Sequence, residues 1–234
     1  MKYKSIFKLC LLTTFLSVAT ISCDDWTEME IHDSQVNGFK EQNPQEYAAY
    51  TQNLRAYKAT KHAVVYARLD NAPEVSIGEK DFLRALPDSI DIVTMRNADR
   101  LSEYDREDMK LVREDYGTKV LYYIDCTAKD KQNTSITSVE AVRTGTFDGI
   151  ALGSEGSAVD VSVLKPLVDA LGQTPCLLVF EGTPSLLPEA QRSLFNYFVL
   201  DISAASDEYD IETSVLYATG YGKAAPDRLL LAVT

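Results

Sequence analysis

The feature that most constrains the fold is a regular alternation of short apolar runs with amphipathic runs, from residue 62 to the end of the chain. The apolar runs are rich in Val, Ile and Leu, which is typical of strands buried on both faces. Strands that alternate with helices favour a parallel sheet with βαβ crossovers. The predicted strands cover residues 62–69, 90–95, 119–125, 147–152, 175–180, 197–202 and 229–233, and the predicted helices cover 79–86, 103–116, 138–144, 161–171, 188–195 and 207–217.

This α/β pattern of seven strands and six helices fits two architectures. One is an open, doubly wound sheet, and the other is a TIM-like (β/α) barrel whose last helix, strand and helix are missing. A full barrel takes about 250 residues, whereas the alternating part of this 234-residue chain begins only near residue 61. Because the sequence stops inside the last apolar run, we expect a truncated reading frame or a fragment, with a genuinely incomplete barrel as the alternative.

The first residues have the features of an export signal. Three lysines precede an apolar stretch at 9–21, which is too short for a transmembrane helix of about 20 residues. A small residue before Cys23 resembles a bacterial lipoprotein cleavage site, so Cys23 would carry the lipid; ordinary secretion is the alternative. The two Asp that follow resemble the surface-export signal of Bacteroidetes lipoproteins. We therefore predict a signal peptide at 1–22, a tether at 23–43, a barrel domain at 44–234, and a location on the outer membrane at the cell surface.

Charge and histidine content exclude some partners and cofactors. The formal net charge is −12, which repels phosphate backbones, so nucleic acid is an unfavourable partner and neutral glycans are compatible. The chain has two histidines, His32 and His62, and no Cys/His group with metal-ligand spacing. We predict neither a metal site nor a cofactor.

Residues 147–155 read Phe-Asp-Gly-Ile-Ala-Leu-Gly-Ser-Glu. This segment resembles the active-site strand of glycoside hydrolase family 18, the chitinases and endo-β-N-acetylglucosaminidases, which is written D-G-x-D-x-D-x-E. Asp148, Gly149 and Glu155 are kept, but Ala151 and Gly153 stand where the two middle acids belong. Segments at 53–58, 86–93, 117–121 and 227–231 resemble the Bacteroidetes lipoprotein branch of the same family.

The resemblance implies a substrate-assisted reaction, in which the 2-acetamido oxygen of the sugar attacks the anomeric carbon. A Glu protonates the leaving oxygen, and the Asp two residues earlier orients the acetamide. It therefore implies that Glu155 is the candidate general acid and Asp148 a remnant of the motif. Strand alternation predicts that positions 151, 153 and 155 point into the barrel. With no acid at 151 or 153, we expect the domain to be catalytically impaired.

Further candidates lie at the strands and their carboxyl ends, which share one cavity in a barrel. Tyrosines can offer a flat surface to a sugar ring, although in strands they are more often core residues. Strand-end acids can converge on a cation site or a polar pocket, or can cap the following helices. The candidate binding residues are Tyr66, Tyr123, Asp125 and Asp201, and the strand-end acids also include Asp70, Glu155 and Glu181.

Three functions fit these observations. The first is a cell-surface lipoprotein that binds N-acetylglucosamine-containing glycans in carbohydrate uptake, held to the membrane by its lipid and working with glycan-importer proteins. The second is an active endo-β-N-acetylglucosaminidase or chitinase-like hydrolase that uses Glu155, with Asp125 or Asp201 as a displaced stabiliser. The third is a protein-interaction scaffold without a glycan site, which is favoured by the loss of aromatic residues that relatives carry at the strand ends.

Overall fold

The protein is described by a computed structural model, which covers residues 38–72, 78–127, 131–172 and 174–233. The chain divides into two compact units, Met1–Tyr47 and Ala48–Thr234. The described part of the first unit holds a short helix, α1 (Phe39–Gln42), and the start of α2 (Pro44–Lys58). Cys23, the predicted signal peptide and residues 23–37 of the predicted tether lie outside the described residues.

The second unit contains one sheet of seven parallel strands in sequential order. Every strand is added on the same side of the one before, whereas a doubly wound sheet reverses its strand order. The TIM-like (β/α) barrel is therefore confirmed, with seven strands in a nearly closed arrangement. The strands are β1 (Tyr66–Leu69), β2 (Ile92–Met95), β3 (Lys119–Asp125), β4 (Gly149–Gly153), β5 (Leu177–Glu181), β6 (Tyr197–Asp201) and β7 (Leu229–Ala232).

Helices connect most of the strands. The longer ones follow β2, β3, β4 and β6, and they are α3 (Glu103–Glu114), α4 (Lys131–Arg143), α5 (Val161–Leu171) and α7 (Glu208–Gly220), with a single turn, α6 (Glu189–Arg192), after β5. Side-chain capping fixes where some of these helices begin. In α3 the Ser102 hydroxyl accepts from the Asp105 N–H (3.0 Å), and the Asp105 carboxylate accepts from the Ser102 N–H (2.8 Å), which is a capping box.

The predicted helix at 79–86 differs from the structure. It is two short 3₁₀ turns, Glu79–Asp81 and Leu83–Ala85, because Phe82 between them has an extended backbone (φ −106°, ψ 133°). The Arg84 N–H that a continuous helix would use internally instead donates to the Asp108 carboxylate (3.0 Å). A buried carboxylate on α3 therefore competes with the helix.

The strands separate two apolar cores. Side chains on the outer face pack under the helices, and alternate side chains fill the barrel interior. The predicted inward direction of position 151 is confirmed, because Ala151 belongs to the interior set. The buried interior residues are Ile92, Leu121, Tyr123, Ala151, Val179 and Val199.

The barrel has one open side. β1 and β7 are the two ends of the sheet, and residues of both, among them Tyr66 and Ala232, line a 540 Å³ cavity. Within the described ranges, no helix is both long and apolar enough to cross a membrane.

Candidate functional site

A cavity of 410 Å³ lies over the carboxyl ends of the strands, where the residues that end parallel strands share one space. The side chains that matter for its chemistry come from six different strands or from the residues just after them. They are Arg68, Arg96, Tyr123, Glu155, Glu181 and Asp201. Of the strand-end acids singled out from the sequence, this cavity therefore brings together Glu155, Glu181 and Asp201.

Tyr123 occupies the space that a side chain at position 153 would need. A Cβ built on Gly153 would lie 2.1 Å from the Tyr123 hydroxyl and 2.8 Å from its ring. The family's second inward acid therefore has no room here unless Tyr123 moves. Burial raises the pKa of Tyr123 to about 12, so its hydroxyl is neutral and available for hydrogen bonding near pH 7.

A buried carboxylate, Glu181 at the end of β5, lies at the centre of the charged part of the site; its side chain is 7% exposed. The Tyr66 hydroxyl donates to its Oε1 (2.5 Å), and Arg68 Nη1 lies 3.5 Å from Oε2. Arg96 Nη1 lies 3.7 Å from the same Oε2, and its guanidinium covers the Tyr123 ring at 3.9 Å from the centroid. Burial raises the pKa of Glu181, and the hydrogen bond from Tyr66 and the two arginines oppose that rise.

The predicted binding residue Tyr66 thus lies inside the barrel, below the cavity. Its hydroxyl also contacts Thr94 Oγ1 (2.5 Å), and burial together with the Glu181 charge raises the pKa of Tyr66. Sequence reasoning did not single out Arg68 or Arg96. The signal was present in the alternation, since Arg68 lies two residues after Tyr66 on the same strand.

Glu155, the candidate general acid, lies beyond the strand. β4 ends at Gly153, and Glu155 is exposed in a turn with a positive φ of 44°. The Ser157 N–H donates to the Ser154 carbonyl (2.8 Å) and closes this turn. The strand alternation that would have directed Glu155 into the barrel stops two residues earlier. Glu155 therefore lines the cavity from an exposed turn and not from inside the barrel.

Asp148, the motif remnant, lies at the opposite end of β4, away from the cavity. Arg113 Nε is 2.9 Å from Asp148 Oδ2, and the Val120 N–H donates to the same oxygen (3.0 Å). Position 149 requires a glycine because the backbone of β5 lies close to it. A Cβ at this position would lie 2.0 Å from the Leu177 carbonyl oxygen. These two retained motif residues therefore hold β4 between its neighbours.

The other two predicted acids each cap their own turn. Asp125 Oδ1 accepts from the Thr127 N–H (2.7 Å), and Asp125 is not among the residues that line the cavity. Asp201 does line it, and its Oδ1 accepts from the Ser203 hydroxyl (2.6 Å) and N–H (2.9 Å). These two hydrogen bonds hold the pKa of Asp201 below its usual value, so it is ionised near neutral pH.

The site is built for hydrogen bonding and charge recognition. Arginine donors lie on the β1–β2 side, and the carboxylates of Glu155 and Asp201 lie on the β4 and β6 sides. The residues that the structure describes include no group of three or more His, Cys, Asp or Glu placed to hold a metal ion.

Comparisons with known proteins give one family match and several solved structures. Residues 27–141 match the family model described as Glycoside hydrolase family 18, BT1044-like, and this range ends before β4 and its altered motif. A solved selenomethionine Glu-to-Gln variant of BT1044 has a TM-score of 0.64 at 17% identity, covering 83% of this chain and 73% of that one. A protein assigned to copper homeostasis, CutC from Streptococcus agalactiae, has a TM-score of 0.42 at 15% identity, covering 73% and 87%. No curated protein matches the sequence. The family match over residues 27–141 and the barrel fold together indicate a glycoside hydrolase family 18-like domain.

Proposed function

We propose that this protein is a cell-surface lipoprotein whose catalytically impaired barrel binds N-acetylglucosamine-containing glycans for carbohydrate uptake. The observation that carries the proposal is the packing of Tyr123 against Gly153. It fills the place of an acid that the family's reaction requires, yet a 410 Å³ cavity remains above it.

The loss of catalysis follows from the surroundings of Glu155. A general acid works best when neighbouring groups hold it in place and adjust its pKa. Here positions 151 and 153 carry no acid, and Glu155 lies in an exposed turn. Removing one positioned electrostatic stabiliser typically costs about 10²–10³ in rate, so the absence of both inward acids removes most of the rate enhancement.

Binding requires less than catalysis. Ligand cavities commonly measure about 300–1,000 Å³ and combine a few polar groups with apolar or aromatic walls. The cavity meets this description with the carboxylate of Asp201, the arginine donors and the Tyr123 hydroxyl. Sugar hydroxyls both donate and accept, so a site that offers charged donors and acceptors on opposite sides suits them.

The membrane part of the proposal comes from the N-terminal sequence. An apolar stretch that ends at Cys23 supports a lipid anchor, and the two Asp after it support surface display. A surface-anchored glycan binder would work beside glycan-importer proteins, which would take up the captured sugars.

The test is a binding and hydrolysis assay on the purified mature chain. Titration calorimetry with N-acetylglucosamine oligomers and with an N-glycan core should show binding without release of product. Absence of binding to every glycan would sink the proposal and favour the scaffold function.

A hydrolase is the second candidate, and the position of Glu155 on the cavity lining favours it. Product formation that disappears in Glu155→Gln, while the folded fraction stays unchanged, would establish this alternative. Product formation that persists in that variant would indicate a contaminating enzyme.

A further inference from the structure

Arg68 and Arg96 form a positive wall in a chain whose formal net charge is −12. Both side chains line the cavity, with 30% and 31% of their surfaces exposed. The two residues lie at the ends of adjacent strands, since Arg68 is in β1 and Arg96 comes directly after β2. We call this pair the arginine wall.

The arginine wall is only partly neutralised by the protein. Both guanidiniums share one carboxylate oxygen, Glu181 Oε2, at 3.5 and 3.7 Å, which is long for a charge-assisted hydrogen bond. Asp70 lies 3.7 Å from Arg96 Nε, but its side chain is almost fully exposed, so solvent and salt weaken that pair. Arg96 also forms a hydrogen bond with the Tyr123 hydroxyl. Since each guanidinium has five N–H donors, donors of both arginines remain for a ligand.

The other acids of the cavity form no ion pair within 4 Å with these arginines among the described residues, although the charge of Arg68 contributes to the lowered pKa of Asp201. One Asp201 oxygen accepts from Ser203 in its own turn, and Glu155 lies in the exposed turn after β4. The cavity is therefore polarised, with cations on the β1–β2 side and carboxylates on the β4 and β6 sides. A ligand with an anionic group on one side and hydroxyl donors on the other complements both sides better than a neutral ligand does.

We propose that the arginine wall binds the carboxylate or sulfate of an acidic sugar residue, while the carboxylates opposite accept hydrogen bonds from its hydroxyls. The planar fork of arginine matches both anions in a bidentate manner. This inference rests on the proposed glycan-binding function and names the class of glycan.

The test compares matched glycans by titration calorimetry on the mature chain. The probes are a sialylated and a desialylated biantennary N-glycan, and a sulfated and an unsulfated N-acetylglucosamine oligomer. We expect the acidic member of at least one pair to bind about tenfold more tightly, which corresponds to one charge-assisted hydrogen bond. The pair that shows the preference identifies the anion.

Variants and changes in salt concentration test whether Arg96 causes the preference for acidic glycans. Arg96→Gln should abolish it, whereas Arg100→Gln, an exposed arginine outside the cavity lining, should leave it unchanged. Arg96→Lys retains a charge near Glu181 and should weaken the preference while preserving the fold. In the unmodified protein, raising the salt concentration should weaken binding of the acidic glycan more than binding of its neutral partner.

Equal affinity for acidic and neutral glycans would overturn this inference and leave glycan binding standing. A preference that survives both changes at Arg96 would also overturn it. Failure to bind any of the four probes would remove the proposed function and this inference together.

Discussion

The Tyr123 hydroxyl lies so close to Gly153 that a Cβ on this glycine would be 2.1 Å from it, so position 153 tolerates no side chain at the observed geometry. A tyrosine on β3 and a glycine on β4 thus fill together a volume that the family gives to an acid. Restoring one motif residue at position 153 is therefore not a local change, because it requires the β3 side chain to move as well.

The first prediction follows from this contact. Gly153→Ala should lower the free energy of unfolding by about 1–3 kcal/mol, because the added methyl group overlaps the buried Tyr123 ring. Gly220→Ala is the matched control: no atom lies within 4 Å of its added Cβ, and alanine favours a helix. Urea denaturation of both variants measures the difference.

A double-mutant cycle assigns the cause. In a Tyr123→Leu background the cost of Gly153→Ala should shrink, because the shorter side chain leaves the space free. An unchanged cost in that background would mean that the backbone, and not the ring, excludes a side chain at position 153.

The fold could be predicted from the sequence because parallel strands buried on both faces give long apolar runs with a simple period. All seven strands appear where these runs occur, with ends shifted by a few residues. The interruption of the predicted helix at 79–86 could not be foreseen in this way, because the competing acceptor for the Arg84 N–H is a carboxylate on α3 that is distant in sequence.

The candidate site was only partly predictable. Parity along β4 places positions 151 and 153 inside the barrel, but it cannot show that the strand ends before Glu155 and turns with a positive φ. The alternation puts Arg68 on the same face of β1 as Tyr66, but the pairing of Arg68 and Arg96 with Glu181 of β5 is a long-range contact that the local sequence does not show.

The second prediction separates the two retained acids of the motif. Asp148→Asn should lower stability by about 1–3 kcal/mol, because it removes the charge that Arg113 and the Val120 N–H contact. Glu155→Gln should change stability by less than about 0.5 kcal/mol, because that side chain is exposed. Thermal and urea unfolding measure both, and a larger loss in Glu155→Gln would indicate a structural role for that residue.

The third prediction concerns pH and the contacts of His62. Its Nδ1 lies 2.8 Å from the Thr60 carbonyl and its Nε2 lies 2.9 Å from Asp91 Oδ1. Both partners accept hydrogen bonds, so only the doubly protonated imidazole can donate to both. The Thr60 carbonyl and the Asp91 carboxylate raise the pKa of His62, in spite of its partial burial.

The sign of the effect is fixed by that raised pKa. The stabilisation is fully present below the pKa of His62 in the unfolded state, about 6.5. It is lost as the pH rises through the higher pKa of His62 in the folded state. We expect the free energy of unfolding, measured in urea, to fall between pH 6 and pH 9. His62→Gln should flatten this part of the profile and lower stability at pH 6 by about 1 kcal/mol; an equally steep profile in His62→Gln would assign the dependence to another group.

The fourth prediction concerns anchoring. Cys23→Ser should move the protein from the membrane fraction to the soluble fraction of cells that express it, because the thiol that would carry the lipid is lost. Fractionation and mass spectrometry of the mature N-terminus measure the outcome. Continued membrane association of the variant after signal cleavage would argue against a lipid anchor.

The last prediction concerns the two outer edges of the sheet. The Val65 and Leu69 carbonyls accept hydrogen bonds from the Ile92 N–H (3.1 Å) and the Arg96 N–H (2.9 Å), so alternation turns the backbone groups of Tyr66 and Arg68 towards the open side. The same reasoning applies to β7, where the Ala232 carbonyl accepts from Ile202 (2.8 Å) and leaves the groups of Leu231 and Val233 facing the gap.

Unpaired parallel edges with apolar side chains invite association. Leu231 is 48% exposed and Val233 is 78% exposed, so we expect residues 24–234 to form oligomers at micromolar concentration. Leu231→Lys should shift the population towards monomer, because it places a charge on the edge. Ile136→Lys, a similarly exposed position on α4, should leave the population unchanged. Light scattering at several concentrations measures both, and a sharp monomer peak with cooperative thermal unfolding in the unmodified chain would show that the open edges do not drive association.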